Sequence, residues 1–181
     1  MEFHFNNVWT ALSEAFPDRP ALICEGKTVT WSQFNERAAR LAGLFSENGV
    51  TNGAAVGMYM LNCNEYTEAH FGCFKQSVCP VNVNYRYRAE ELIYLLDNSD
   101  AEVVIYHASY APRIAEIRDS LPRIKLYIQV EDESGIPLLD GALDYETALN
   151  DSAPLAFTPS AYDDRYMLYT GGTTGMPKGV M

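Results

Sequence analysis

The residues best suited to chemistry stand together near the end of the chain, as Tyr169-Thr170-Gly171-Gly172-Thr173-Thr174-Gly175-Met176-Pro177-Lys178-Gly179-Val180. This run combines three features that a polyphosphate site requires. Glycine lets backbone N–H groups turn toward an anion and lets the anion's oxygens come close. The hydroxyls of Thr170, Thr173 and Thr174 can donate to phosphate oxygens, and one of them can contact a phosphate-bound Mg²⁺. Lys178 adds positive charge. The spacing is not that of a Walker A loop, because Lys178 lies between Pro177 and Gly179 and no Ser or Thr follows it. No G-x-G-x-x-G follows the first strand, as a dinucleotide fold requires. A glycine-rich surface turn would explain Gly171 and Gly172, but not the Thr-Thr pair, the proline and the lysine placed behind an apolar run.

No other part of the sequence offers comparable chemistry. Cys24, Cys63, Cys73 and Cys79 form no C-x-x-C pair, and His4, His70 and His107 are far apart, so a metal cluster is not expected. Small buried thiols and structural histidines are the plainer reading, and Arg86 and Arg88 read as a solvated face. Thirteen basic residues against twenty-four acidic ones give a net charge of −11. That balance disfavours nucleic acid or an anionic membrane surface as partner, so an anionic ligand needs a local patch such as the one around Lys178. No apolar run approaches the ~18–20 residues of a membrane span, and MEFHFNN lacks the features of a secretion signal, which makes the cytoplasm the expected location.

The glycine-threonine run needs a strand before it and a sheet around that strand. The 181 residues, 48% hydrophobic and 12% aromatic, suffice for a packed core. An amphipathic segment at 7–16 reads as a helix, Pro17 to Pro20 as a turn and 21–24 as a strand. Thr30 and Gln33 form a capping box that opens a helix over 31–48, with Phe34, Ala38, Leu41 and Phe45 on one face and Gly49 as a left-handed stop. Strands are expected at 55–61, 78–83, 103–106 and 124–130, and helices at 65–76, 89–98, 112–120 and 145–149. This alternation predicts an α/β fold, with a largely parallel sheet and flanking helices. The stretch from Asn150 to Asp164 reads as a connecting loop, and Arg165 to Tyr169 as the apolar run leading into the glycines.

The pattern Y-T-[S/G]-G-T-T-G-x-P-K-G-V resembles the signature of the adenylate-forming (AMP-binding) superfamily, which includes acyl-CoA synthetases, luciferases and peptide-synthetase adenylation domains. The likeness continues upstream. Thr30-Trp31-Ser32-Gln33-Phe34 with Ala38, Ala39, Leu41 and Ala42 is similar to the family's first long helix. Gly53, Met60, Asn62, Glu65 and Lys75 fall where its members often carry like residues. Pro80 to Arg86 and Glu91-Leu92 look like the acyl-CoA synthetase branch. Two positions depart from the pattern: Gly171 stands where Ser or Thr is usual, and Ala54 replaces a common acidic residue.

The resemblance implies that Thr170, Gly171, Gly172, Thr173, Thr174, Gly175 and Lys178 contact ATP, with Thr173 next to Mg²⁺. It implies a two-step reaction in which a fatty or similarly hydrophobic carboxylic acid becomes an acyl-adenylate and is then transferred to coenzyme A. The expected partners are therefore small molecules. It also implies that residues 1–181 are the first part of the family's large amino-terminal domain, ending just after the phosphate loop at 169–180. Adenine, ribose, acyl and CoA sites and the adenylation lysine would then lie elsewhere, no catalytic residue would fall in this chain, and the chain alone would be inactive. An amino-acid-adenylating module, or a catalytically silent nucleotide-binding fragment, are the alternatives.

Overall fold

The computed structural model describes residues 4–160, 165–170 and 178–180. The first helix, α1 (Phe5–Ala15), is capped by His4, whose Nδ1 accepts from the Asn6 N–H. A hairpin follows, β1 (Pro20–Cys24) and β2 (Lys27–Thr30), paired only to each other as an antiparallel ribbon. A turn at Glu25-Gly26, with positive φ at both residues, joins the two strands, and the return strand β2 is an addition to the expectation. Next comes α2 (Trp31–Glu47), opened by the expected capping box: Gln33 N–H donates to Thr30 Oγ1 at 3.3 Å and Thr30 N–H to Gln33 Oε1 at 2.9 Å. Its predicted face, Phe34, Ala38, Leu41 and Phe45, is buried. Gly49 ends it at φ +67°, a conformation that costs a residue with a Cβ roughly 1 kcal/mol or more.

The main sheet then alternates with helices: β3 (Ala55–Tyr59), α3 (Asn64–Lys75), β4 (Cys79–Asn82), α4 (Ala89–Asn98), β5 (Ala101–His107), α5 (Ala111–Ile117), β6 (Leu126–Val130), β7 (Leu143–Asp144), α6 (Tyr145–Asp151), β8 (Met167–Thr170) and β9 (Lys178–Val180). The order across the sheet is β7-β6-β5-β3-β4-β8-β9, every neighbouring pair parallel except β8 with β9. The expected parallel α/β sheet is present, extended by the short β7 and closed by an antiparallel β9. The helix expected at 112–120 stops at Ile117 and tightens into a 3₁₀ turn at Arg118–Ser120. The loop expected at 150–164 has no regular element from Ser152 to Ser160.

The central strands are largely apolar because both faces are covered. On β5, Val103 and Ile105 pack with α2, α3 and α6, while Val104 and Tyr106 pack with α4 and α5. The small residues allow close approach. A Cβ at Gly72 would lie 2.9 Å from Leu41 Cδ2 where α2 crosses α3, and one at Gly57 would lie 2.5 Å from Leu96 Cδ2.

At the end of α3 the side chain of Lys75 is 7% exposed. Its ammonium donates to Asn35 Oδ1 at 2.8 Å and sits 4.2 Å from the Phe71 ring centroid. Burial lowers its pKa from 10.5 to about 8. The folded state therefore releases this proton first, and between about pH 8 and 10.5 the unfolded chain holds more protons, so this lysine makes stability rise with pH there. Urea unfolding at a series of pH values is expected to show wild type gaining on Lys75→Met across that window and holding a constant difference below it. Parallel curves across the window would contradict the assignment.

Candidate functional site

The glycine-threonine segment lies between β8 and β9, whose register places Leu168 opposite Val180, Tyr169 opposite Gly179 and Thr170 opposite Lys178. The expected site residues Thr170 and Lys178 are thus brought across from each other at the mouth of a hairpin. Gly171, Gly172, Thr173, Thr174 and Gly175 lie outside the described residues. Thr170 ends a strand parallel to β4, with Val81 opposite Met167, so the mouth opens at the carboxyl end of the parallel strands. Ligands of open α/β sheets bind at that edge, because loops leave it and backbone N–H groups there are free to face a ligand.

Gly179 has a local reason. A Cβ there would stand 3.1 Å from Tyr169 Cζ and 3.2 Å from Met167 Sδ, so the tyrosine ring crosses the hairpin in close contact with this glycine. Tyr169 is fixed at its far end by donating to Asn98 Oδ1 at 2.8 Å, which ties β8 to the last turn of α4.

Beside this mouth is a cavity of about 400 Å³, walled by Tyr169 and by residues that follow β3 and β4, among them Asn62, Tyr85 and Tyr87. Tyr66 reaches in from α3 and donates to Asn82 Oδ1 at 3.0 Å, and burial pushes its phenol up to about 12, so it remains a neutral donor. The wall formed by Tyr85 and Tyr87 is held from behind. The buried Tyr59 hydroxyl donates to the Tyr87 carbonyl at 2.8 Å and accepts from Arg113 Nη1 at 2.6 Å, and that nitrogen also reaches the Tyr85 carbonyl at 3.1 Å. Arg86 and Arg88 are exposed between these anchors.

Among the described residues no carboxylate lines this cavity. The acidic side chains gather instead in a larger groove of about 610 Å³, where Glu36, Glu65, Glu68, Glu131, Glu133, Asp144 and Glu146 surround Arg37 and Lys27. Size alone would select that groove, but its field repels a polyphosphate. The smaller cavity, which Tyr169 of β8 helps to line, has no charged side chain among its described lining residues. Arg37 ties the groove together: it donates to Glu68 at 2.7 Å and to both oxygens of Glu146, at 2.5 and 2.8 Å, while Tyr145 donates to the second oxygen of Glu68 at 3.1 Å. The Glu146 hydrogen bonds hold the guanidinium well above its ordinary pKa. Burial pushes the Glu68 carboxyl up, and Arg37 opposes that rise without cancelling it.

The histidines and cysteines take structural parts. His70 Nδ1 lies 2.9 Å from the Tyr66 carbonyl and so carries the proton, and His107 Nδ1 accepts from the Leu61 N–H at 3.2 Å. Burial lowers both. Cys63 caps α3 by accepting from the Tyr66 N–H at 3.3 Å, and burial raises its thiol to about 12. Among the described residues no group of His, Cys, Asp and Glu could hold a metal ion, and no helix is long and apolar enough to cross a membrane.

Sequence reasoning did not single out Tyr66, Tyr85, Tyr87 and Tyr169 as cavity walls. The alternation Val81-Asn82-Val83-Asn84, buried and exposed by turns, was the available signal that polar groups face outward at the end of β4.

The sheet order and the hairpin at its carboxyl edge define an α/β protein with a mostly parallel sheet, and comparison with known proteins narrows the class. The family description "AMP-binding enzyme" matches residues 9–181, and the chain belongs to that family. It is 46% identical to the medium-chain acyl-CoA ligase Mig of Mycobacterium avium, over 94% of this chain and 34% of that protein. It is 44% identical to a 3-oxocholest-4-en-26-oate--CoA ligase of Rhodococcus rhodochrous, over 91% of this chain and 30% of that one. Among solved structures, the anthranilate CoA ligase AuaEII in complex with anthranoyl-AMP superposes with a TM-score of 0.89 at 25% identity, over 98% of this chain and 34% of that one. The chain therefore spans about a third of the length of the relatives it matches.

Proposed function

We propose that residues 1–181 form the first part of the amino-terminal domain of an ATP-dependent acyl-CoA synthetase of the cytoplasm, ending just after its phosphate-binding loop. The observation that carries this reading is the hairpin that sets Thr170 opposite Lys178 at the carboxyl edge of a parallel sheet, beside a cavity that no carboxylate of the described residues lines. In the reaction, an oxygen of the substrate carboxylate forms a bond to the α-phosphorus of ATP and the bond to pyrophosphate breaks, giving acyl-adenylate. The thiolate of CoA then attacks the acyl carbon and AMP leaves. The part of this chain is to hold the β- and γ-phosphates, Lys178 compensating the charge that builds on departing pyrophosphate while the hydroxyls of Thr170, Thr173 and Thr174 and the N–H groups of Gly171, Gly172 and Gly175 donate to its oxygens. Hydroxyl and ammonium donors suit phosphate, and the Thr173 hydroxyl would meet Mg²⁺, which supplies further charge neutralisation when bound.

The relatives that are medium-chain and sterol-acid CoA ligases support a hydrophobic carboxylic acid as substrate. Pyrophosphate exchange with the complete ligase is the test, because adenylation needs no CoA and reveals which acid is activated. Exchange is expected with fatty or sterol-type acids. Exchange with amino acids alone would overturn the acyl-CoA assignment, and none with any acid would overturn adenylation itself. The 181 residues by themselves are expected to release no AMP above background.

A further inference from the structure

From Ser152 to Ser160 the chain crosses the helical face of the sheet without regular structure, yet it is closely held. Arg40 Nη1 donates to the Ser152 carbonyl at 2.9 Å, and the Leu155 N–H donates to the Ala39 carbonyl at 2.9 Å. Gly43 lets this strap lie against α2, since a Cβ there would collide with the Ala153 carbonyl. The hold is tightest at Ser160, which is 4% exposed. The Asn7 side-chain amide takes both of its backbone groups, accepting from the Ser160 N–H at 3.0 Å and donating to its carbonyl at 3.4 Å. The Ser160 hydroxyl accepts from Asn6 Nδ2 at 2.9 Å and donates to the Phe74 carbonyl on α3 at 3.1 Å. Asn6 and Asn7 are themselves buried on α1.

Two asparagines buried on a helix are unfavourable unless their amides are matched, and here the matching partners are the Ser160 main chain, 153 residues from Asn7, and the Ser160 hydroxyl, 154 residues from Asn6. The far side of the same strap is also held by α3: the Tyr166 ring lies 5.6 Å from His70, one residue before β8 begins. The chain is thus gripped by α3 both before and after 161–164, and α1 closes the grip on the first side. Both asparagines precede residue 9, where the family match begins.

We propose that Asn6, Asn7 and Ser160 are positioning residues, which fix the point from which the chain enters β8 and so set where the phosphate loop meets its nucleotide. This rests on the reading of the β8–β9 loop as the ATP site. Ser160→Ala frees the Phe74 carbonyl and one Asn6 donor, and Asn7→Ala strips both backbone groups of Ser160. Ser13→Ala is the control: Ser13 is equally buried on α1 but its hydroxyl bonds only to the Thr10 carbonyl, away from the strap.

Two measurements decide the matter. In the complete ligase, Ser160→Ala and Asn7→Ala, each of which removes two hydrogen bonds at Ser160, are expected to raise KM for ATP about ten-fold, with KM for the carboxylic acid unchanged. A purely structural role would lower the melting temperature and leave both KM values alone. Hydrogen exchange on this chain is expected to quicken at the amides of Met167–Thr170 in Ser160→Ala, with Leu126–Val130 and the Ser13→Ala protein unaffected. Unchanged exchange in β8, or an unchanged KM for ATP in a ligase that uses ATP, overturns the proposal. If the wild-type ligase uses no ATP, the function reading fails and exchange alone judges the clamp.

Discussion

Lys178→Ala in the complete ligase is expected to lower kcat/KM for ATP by roughly ten- to a hundred-fold, because a hydrogen bond to a charged group contributes about 1.5–3 kcal/mol. The loss should fall on nucleotide use and not on folding. Lys178 is exposed on β9, at the edge of the sheet. Thr173→Ala is expected to act in the same direction with a smaller effect, since it removes a hydroxyl and not a charge. Met176→Leu serves as a control, as neither side chain can donate to phosphate. Steady-state kinetics in ATP, alongside urea unfolding of each variant, separates the two effects. If kcat/KM for ATP is unchanged in both Lys178→Ala and Thr173→Ala, the loop does not bind the nucleotide.

The largest effect on stability is expected from Arg37→Met. Glu68 is 1% exposed and loses the one cationic partner it has among the described residues, while Glu146, 53% exposed, can turn to water. Stranding a buried charge costs about 3–5 kcal/mol in fully buried pairs. The guanidinium is 26% exposed, so a loss of about 2–3 kcal/mol at neutral pH is the expectation here. The deficit depends on pH with a definite sign. Burial already raises the Glu68 carboxyl above its ordinary 4.5, and removing Arg37 raises it further. The folded variant then takes up a proton that the unfolded chain does not, so its stability falls as pH rises above 4.5 and the deficit narrows as pH is lowered toward that value. Adding Glu68→Gln to Arg37→Met should recover much of the loss at neutral pH. Equal deficits at pH 5 and pH 8 would show that Arg37 acts through packing and not through charge.

Much of the architecture was legible along the chain because local physics dictates it. Thr30 and Gln33 satisfy each other's backbone donors at the start of α2, and Gly49 ends that helix in a conformation other residues resist. The apolar runs of β3 and β5 announce strands covered on both faces. The polyphosphate character of 169–180 is written in residue types, since glycine, threonine and lysine are what a phosphate needs wherever the loop stands. Boundaries shifted by a few residues where tertiary pairing overruled propensity, as at β5, which begins at Ala101 and runs through to His107. The strands β2, β7 and β9 were not legible: each is two to four residues long, too short for any periodicity, and exists only because a partner strand supplies hydrogen bonds.

By itself, then, the sequence determined the alternation of strands and helices, the burial of their apolar faces and the kind of ligand the glycine-threonine run could hold. Only the tertiary structure decided the order of strands, because pairing depends on contacts between residues far apart in the chain. That order sets Thr170 opposite Lys178 and gathers Tyr66, Tyr85, Tyr87 and Tyr169 around one cavity. It also segregates the acidic groups into the groove around Arg37, so that a chain of net charge −11 keeps one edge of its sheet compatible with an anion. Charge and residue type are properties of composition, whereas the local field and the distance between two side chains arise only when the fold brings them together.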